Sequence, residues 1–260
     1  MAKERGKPFV LYINNYSRLF DPSGLSVAGT LCYSSEYLKQ ILQNMTICTP
    51  TQHLQRILLA HHDIDAHVLP PIAENVFWTL KATQWTGRNP LELAFVGSDS
   101  FAKNSAILPQ VLAGLKDRGI VAYIHIYCPP GAAQPARSEI VSYRPSYGWG
   151  QRNTFADDLA LNHILIHPMR SYEAFGRAVL EATQLGLPVV STRCGGPEEI
   201  LGKHGYFFDL DFEPEAICDC LLVAAEESAA LDLREHRIEA SHRFEETKLR
   251  GTYARFINSL

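Results

Sequence analysis

The stretch from Pro168 to Ile200 constrains the fold of this chain more than any other part of the sequence. It reads PMRSYEAFGRAVLEATQLGLPVVSTRCGGPEEI. Its apolar residues follow the spacing of a helix with one buried face: Val179, Leu180, Ala182 and Leu185. Gly186 suits the position just past a helix C-terminus, and Pro188 follows where the helix has ended. Because LPVVST then has the character of a short buried strand, the stretch predicts a loop, a helix and a strand of an α/β fold.

Two carboxylates, Glu173 and Glu181, stand eight positions apart in this stretch. The pattern predicts Glu173 on the loop that enters the helix and Glu181 about two turns along it. Since a helix rises about 1.5 Å per residue, the two lie roughly 12 Å apart along the axis. That separation is too long for two carboxylates that share a proton or cleave one glycosidic bond. It suits two acceptors that hold opposite ends of a hydroxyl-rich ligand, with the helix N-terminus facing an anion between them.

The setting of this pair resembles the donor-binding signature of the retaining glycosyltransferases of the GT-B fold, family GT4, also called glycosyl transferase group 1. The resemblance rests on Glu-x7-Glu, the FG after the first Glu, the GLPVV strand and the GGPEE turn. It implies that Glu173 contacts the transferred sugar as the catalytic residue, that Glu181 holds the ribose of the nucleotide, and that the amides of Ala174, Phe175 and Gly176 meet the diphosphate. The alternative is an amphipathic helix with two incidental acids.

A second segment, FVGSDSFAKN, resembles the part of the family in which a Gly is followed by an Arg and then by a Lys. Gly97 and Lys103 match this pattern, but Ser98 stands where the Arg is expected. The resemblance implies that all three residues lie at the diphosphate, where Lys103 acts as a point charge. The alternative for Lys103 is a solvated loop lysine. Three arginines are candidates to replace the missing cation: Arg144, Arg170 and Arg193.

Other candidate contacts are aromatic or amide side chains. By the resemblance, Tyr143 lies where the family holds its nucleobase, and Tyr147 and Trp149 stack on a base or sugar unless they pack in the core. Asn14 and Asn15 end a predicted strand where the family has a His that touches the sugar. Asn can bond a sugar hydroxyl but cannot carry a proton, and a turn pair is the alternative.

The composition excludes several classes of protein. The chain has 260 residues, 46% of them hydrophobic, and a formal net charge of -4. This is typical of a globular protein with one large or two modest domains, and it argues against bulk nucleic-acid binding. No apolar run reaches the length of a transmembrane segment and MAKERGKP lacks a signal-peptide core, so we expect a cytoplasmic protein.

No cofactor is expected from the sequence. The six cysteines are scattered singly apart from Cys218 and Cys220, so we interpret them as reduced, mostly buried thiols. His163 and His167 flank a predicted strand and are interpreted as hydrogen-bonded core or rim residues rather than metal ligands. Because the resembled family works without a catalytic metal, we expect a nucleotide-sugar as substrate and no metal.

The alternation of strands and helices along the chain predicts a parallel α/β sheet. The predicted strands are 8–13, 45–48, 66–69, 91–97, 121–128, 139–143, 163–168, 187–192 and 205–210. The predicted helices are 33–43, 53–60, 104–116, 155–161, 174–186, 214–227 and 231–256. The predicted loops are 18–30, 129–137 and the aromatic segment 145–151. The segment Thr49-Pro50-Thr51-Gln52 reads as a capping box with Pro50 at the first helical position.

The domain layout leaves the first domain short. We predict a partial N-terminal, acceptor-side Rossmann-like domain over 1–75, a donor-binding domain over 76–240 after a linker at roughly 72–89, and a C-terminal helix over 241–260 that packs back on the first part. A GT-B enzyme needs two Rossmann-like domains of on the order of 150 residues each. Truncation, natural reduction, or a second chain or second copy that completes the N-terminal domain would each explain the difference.

Three functional hypotheses follow. The first is a hexosyltransferase-type retaining glycosyltransferase that moves a sugar from a nucleotide diphosphate-sugar to an unknown acceptor. The second is a non-catalytic donor-binding or scaffold subunit that needs a partner chain. A nucleotide-sugar epimerase of the same fold is the third, and the Glu-x7-Glu setting argues against it.

Overall fold

Two parallel β-sheets form the framework of the molecule. The computed structural model describes residues 9–13, 42, 45–88, 90–98, 100–128, 141–145, 152–228 and 231–260. Within these residues one sheet has three strands and the other six, and the paired strands are parallel. The predicted parallel α/β architecture is therefore confirmed.

The strands are β1 Val10–Tyr12, β2 Thr46–Thr49, β3 His67–Val68, β4 Leu91–Val96, β5 Ala122–Cys128, β6 Val141–Pro145, β7 Ile164–His167, β8 Val189–Thr192 and β9 Tyr206–Phe208. The α-helices are α1 Gln52–His62, α2 Leu108–Asp117, α3 Arg152–Ala160, α4 Arg177–Gln184, α5 Gly196–Leu201, α6 Pro214–Ser228, α7 Leu231–Ser241 and α8 Glu246–Ser259. Short 3-10 helices cover Asn75–Thr79, Ser105–Ile107, Gly202–His204 and His242–Phe244.

The six-stranded sheet has the strand order β6-β5-β4-β7-β8-β9. The chain runs outward from β4 to β6 and then returns to the other side of β4 with β7. β4 and β7 are neighbours through the pairs Leu93 with Ile164 and Ala94 with Leu165. In open parallel sheets of this kind, ligands bind in the crevice outside the carboxyl ends of the strands, where the strand order reverses. The topology therefore points to the loops that follow β4 and β7.

Both faces of this sheet are buried. The side chains of β4 alternate between the two faces and show how its sequence suits both. Leu93 and Phe95 pack with residues of α2 and α6 on one face, whereas Ala94 and Val96 pack with residues of α3 and α4 on the other. Because side chains alternate between the faces of a strand, a continuous apolar run serves both layers. Burial of a side chain such as Phe95 stabilises the fold by about 1.5–3 kcal/mol.

The helix that follows β4 begins later than predicted. Asn104 has a left-handed backbone (φ 54), residues Ser105–Ile107 form a 3-10 turn, and α2 starts only at Leu108. The predicted apolar face is nonetheless buried: Ile107, Leu108, Val111, Leu112 and Leu115.

The predicted capping box before α1 is wrong in register. Thr51, not Thr49, is the N-cap residue, and its side chain accepts a hydrogen bond from Leu54 N at 3.2 Å. Thr49 still belongs to β2, where it pairs with Val68. Since the strand extends this far, Pro50 lies between strand and cap instead of in the first helical turn.

The single helix predicted over 231–256 is also wrong, because it is broken between α7 and α8. Ser241, fully buried, accepts a hydrogen bond from Trp78 Nε1 at 2.8 Å. Phe244 is buried against Phe175, with ring centroids 5.5 Å apart, and Glu245 is extended. These tertiary contacts outweigh the helical propensity of the segment.

The C-terminal helix contacts the segment around β3. Tyr253 donates a hydrogen bond to the carbonyl of Pro70 at 2.8 Å, and the ring of Phe256 meets the ring of His67 edge-on at 5.2 Å. The domain limits given above stay predictions.

Some predictions fall outside the described residues: loops 18–30 and 129–137, the helix over 33–43 apart from Leu42, the aromatic loop after Pro145, and Asn14, Asn15, Tyr147 and Trp149. None of the described helices combines the length and hydropathy that a membrane span requires.

Candidate functional site

A cation and a carboxylate meet at the point where the strand order reverses. Lys103 follows β4 and Glu173 follows β7, and their side chains approach to 3.1 Å between Nζ and Oε2. The aliphatic part of Lys103 lies over Gly97, where a Cβ would stand 3.1 Å from Lys103 Cγ. Gly97, Lys103 and Glu173 are thus brought together, although the two charged residues are 70 positions apart.

The Lys103–Glu173 pair remains accessible to a ligand. The Lys103 side chain is 30% exposed and that of Glu173 is 23% exposed. An ion pair with this exposure contributes about 1 kcal/mol or less, because water screens it. A phosphate-bearing ligand can therefore separate the two side chains at small cost.

The loop that carries Glu173 is held by the turn after β8. Glu173 N donates to Cys194 O at 2.8 Å, and Gly196 N donates to Glu173 O at 2.8 Å. Gly195 has φ +104 and lies against the ring of Tyr172, where a Cβ would come within 2.4 Å of that ring. The GGPEE segment, residues 195–199, therefore holds the Glu173 loop in place and also begins α5.

The start of α4 differs from the prediction and moves Glu181. Gly176 is the N-cap with φ +92, so the helix begins at Arg177 and Glu181 lies just over one turn inside it, not two. The Glu181 side chain is only 8% exposed and lies 3.8 Å from Arg177, which in turn pairs with Glu74 at 2.6 Å. Glu181 is therefore much less accessible than Glu173.

The residues between the two acids are buried through their side chains. Ala174 is 3% and Phe175 is 6% exposed, so only their main-chain groups can face a ligand. A larger residue at Gly176 would be strained, because the backbone has φ +92 and a Cβ would lie 3.2 Å from Pro197 Cγ. This arrangement agrees with a ligand contact through backbone amides at the start of α4.

His167, at the end of β7, is oriented beside this pair. His167 Nδ1 lies 3.1 Å from Ser191 Oγ, at hydrogen-bond distance, and Ser191 Oγ also donates to Thr192 O at 3.0 Å. Burial, helped by the charge of Lys103, holds the pKa of His167 well below its ordinary value. The ring is therefore neutral at neutral pH, and its buried Nε2 has no hydrogen-bond partner among the described residues.

Cys194 lies against the same loop but is not suited to nucleophilic chemistry. Burial raises its thiol pKa to about 12, and the carboxylates of Glu173 and Glu198 act in the same direction. A thiol with this pKa is almost entirely protonated at neutral pH. His163 is likewise a core histidine, as predicted, since its Nδ1 accepts a hydrogen bond from Glu92 N at 2.9 Å.

The other predicted residues are spread around the site. Ser98 is half-buried after β4. Arg170 donates its backbone N–H to Ala102 O at 3.0 Å and lies over the ring of Phe101 at 5.7 Å, beside the Lys103 turn. Arg193 lies 3.6 Å from Glu198 and 3.5 Å from Asp209. Tyr143 and Arg144 belong to β6, and their side chains fall outside the described part of the chain.

Residues from the N-terminal part also reach the site, and sequence reasoning missed them. The Thr51 hydroxyl donates to Ala174 O at 2.9 Å, and the ring of His53 stacks on that of Tyr172 at 5.3 Å. Glu199 accepts hydrogen bonds from the backbone of His53 and of its neighbour Gln52. Since these contacts span more than 100 positions, no local pattern could have revealed them.

The described residues contain no cluster of three or more His, Cys, Asp or Glu that could hold a metal ion, and the absence of a catalytic metal stays a prediction. The five cysteines in this part of the chain are free thiols, and four of them are buried.

Comparisons with known proteins converge on one family. Residues 90–227, just over half of the chain, match the family Glycosyl transferases group 1. The gpi3 subunit of phosphatidylinositol N-acetylglucosaminyltransferase from Schizosaccharomyces pombe is 35% identical over 92 residues, which are 35% of this chain and 19% of that protein. A probable sucrose-phosphate synthase from Thermosipho melanesiensis is 60% identical over 37 residues, 14% of this chain and 9% of that protein. The matched segments thus span less than a fifth of either relative.

A solved structure resembles nearly the whole chain. Sucrose-phosphate synthase from Thermosynechococcus elongatus superposes with a TM-score of 0.74 at 13% identity, over 99% of this chain and 69% of that one. At this identity the likeness concerns the fold.

Proposed function

The chain belongs to the group 1 glycosyltransferases, and we propose that it transfers a sugar from a nucleotide diphosphate-sugar to an acceptor with retention of the anomeric configuration. The family and the GT-B fold predicted from the sequence are confirmed, and the predicted hexosyltransferase activity is part of the proposal. The observation that carries the proposal is the 3.1 Å contact between Lys103 and Glu173 at the reversal of strand order. It joins a cation suited to phosphate with a carboxylate suited to sugar hydroxyls.

Donor binding replaces this internal ion pair with two ligand contacts. The diphosphate takes Lys103, and Glu173 is released to accept hydrogen bonds from the sugar. The backbone amides of Ala174, Phe175 and Gly176 meet the phosphates at the start of α4, where the helix dipole favours negative charge. Glu181, one turn further, accepts from the ribose hydroxyls.

The transfer step proceeds on one face of the sugar. The bond between the anomeric carbon and the phosphate oxygen breaks, and a bond from the acceptor oxygen to the anomeric carbon forms. The departing phosphate takes the acceptor proton. Glu173 orients the sugar and stabilises the positive charge that develops on the ring, and it forms no covalent bond.

The missing arginine leaves Lys103 short of a second cation for the leaving group. We assign that role to Arg170, because its backbone hydrogen bond to Ala102 O keeps it beside the Lys103 turn. Arg193 is a poorer candidate, since Glu198 and Asp209 already lie within ion-pair distance of it.

A thermal-shift screen against UDP-, GDP-, ADP- and dTDP-sugars tests donor binding, because a ligand that binds the folded state raises the melting temperature. N-acetylglucosamine is the first sugar to include, since it occurs in the name of one relative. The absence of a shift with every nucleotide-sugar at millimolar concentration would contradict the proposal.

Two variants then test the roles of the acids. Glu181→Gln should weaken donor affinity about 10- to 100-fold in isothermal titration, the cost of losing charged hydrogen bonds. Glu173→Gln should reduce kcat by about 100-fold or more. The matched control is Glu226→Gln on α6, because the Glu226 side chain is exposed and makes no hydrogen bond or ion pair with any described residue. Unchanged affinity in Glu181→Gln would remove the ribose role.

A second candidate function is a donor-binding subunit that acts only with a partner chain. One observation favours it: the gpi3 relative is named as a subunit of a larger enzyme. Ser98 in place of the expected arginine agrees with it. Donor hydrolysis or transfer by the purified chain alone supports the enzyme, whereas donor binding without turnover until a partner is added supports the subunit.

A further inference from the structure

We propose that the N-terminal part of the chain is a structural component of the donor site, and that Thr51 is the positioning residue that shapes the Glu173 loop. The inference rests on the proposed function, because it concerns the same donor site. The inference also goes beyond the proposed function, because it gives the N-terminal part a role in donor affinity as well as in acceptor binding.

One hydroxyl performs two tasks at this junction. Thr51 Oγ1 accepts from Leu54 N at 3.2 Å and thereby starts α1, and it donates its proton to Ala174 O at 2.9 Å. Thr51 is 1% exposed, so water cannot replace either bond. The beginning of α1 and the conformation of the loop next to Glu173 therefore depend on the same atom.

The loop also packs into the core of the N-terminal part. Ala174 is buried in the same hydrophobic cluster as Ile47 of β2 and Leu54 and Leu58 of α1, and Tyr172 packs against that cluster. Burial raises the pKa of Tyr172 above its ordinary value. Glu173 lies between these two packed neighbours, so they fix the position of its backbone.

A second tether holds α1 against the opposite side of the loop. The carboxylate of Glu199 accepts hydrogen bonds from Gln52 N at 3.2 Å and His53 N at 3.1 Å, two N–H groups that the start of a helix leaves unsatisfied. Glu199 belongs to α5, whose first residue, Gly196, donates to Glu173 O. The Glu173 loop is therefore enclosed between α1 and α5, and neither helix can move without moving it.

The test compares three substitutions in the full-length chain. Thr51→Val keeps the shape of the side chain but removes both hydrogen bonds, and Thr51→Ser keeps them. Gln55→Leu is the matched control: Gln55 lies one turn along α1 and donates to Ala66 O at 2.6 Å, away from the loop. Gln55→Leu also removes a side-chain hydrogen bond of α1, but it leaves the contact between Thr51 and Ala174 intact.

Hydrogen–deuterium exchange of the peptide that contains residues 172–180 gives a readout that needs no donor. We expect faster exchange in Thr51→Val and wild-type exchange in Thr51→Ser and Gln55→Leu. Wild-type exchange in Thr51→Val, or equal acceleration in Gln55→Leu, would overturn the inference. Because this measurement omits the donor, it decides the inference even if the proposed function fails.

Donor titration supplies the functional readout once a nucleotide-sugar has been found. Thr51→Val should bind it about five- to tenfold more weakly, the effect of losing the bond to Ala174 O that holds the loop, and Thr51→Ser should bind it as the wild type does. Equal affinity in Thr51→Val and the wild type would show that Thr51 does not position the donor loop.

Discussion

The Gly196→Ala substitution adds a single methyl group at the point where α5 packs against the Glu173 loop. A Cβ at Gly196 would lie 2.5 Å from both the Cα and the carbonyl oxygen of Phe175, and 2.6 Å from its nitrogen. These are backbone atoms, which no side-chain rotation can move away. Gly196 does not have a positive φ, so the effect is purely steric.

The loop or α5 must therefore shift by several tenths of an ångström, and the 2.8 Å hydrogen bond from Gly196 N to Glu173 O must lengthen. Overpacking of this kind costs about 1–3 kcal/mol, and with three backbone contacts we expect the upper end. Urea denaturation followed by circular dichroism measures the loss as a lower midpoint at an unchanged slope.

Gly251→Ala in α8 is the matched control. There the nearest atom to a new Cβ is the far end of Arg255, at 3.5 Å, so the methyl group meets no obstacle. Within a helix this change should stabilise the protein by about 0.5–1 kcal/mol. If Gly196→Ala unfolds at the same urea concentration as Gly251→Ala, the packing described for the loop is wrong.

Two further predictions concern titratable groups. Burial and Lys103 keep the pKa of His167 low, so below about pH 6.5 the unfolded chain binds a proton that the folded chain does not. The free energy of unfolding should therefore fall as the pH drops below 6.5. His167→Asn should make this fall shallower by up to about 1.4 kcal/mol per pH unit. Identical urea midpoints for both proteins across pH 7.5 to 5.5 would contradict this. Burial raises the thiol pKa of Cys194 to about 12. Cys194 should therefore react with iodoacetamide at pH 8 at least about tenfold more slowly in the folded than in the unfolded chain. Equal rates measured by peptide mass mapping would refute this prediction.

Local pattern was sufficient to place the strands of the six-stranded sheet. β4, β5, β7 and β8 are mostly apolar, which is typical of strands buried on both faces. The approach of Lys103 to Glu173 follows from topology, because both residues follow neighbouring parallel strands. From the sequence, only the resemblance to the family indicated that these two residues belong to one site.

The errors arose where distant contacts decide local structure. The helix break after Ser241 depends on Trp78, which is 163 positions away. The true cap of α1 depends on how far β2 pairs with β3, which no window around Thr51 reveals. Glu181 was placed too deep in its helix because Gly176, with φ +92, delays the start of α4 to Arg177.

The same distant contacts fix the backbone around Lys103 and Glu173. The two side chains neutralise each other, so neither charge is left uncompensated where it is partly buried. The loop beneath them is fixed by main-chain bonds to the β8 turn and by Thr51, and these bonds do not involve the two charged side chains. Under the proposed function, a donor would take over both charges while the backbone stays in place. Since only a weak, partly exposed ion pair would be lost, most of the binding free energy would remain available to hold the sugar and its diphosphate.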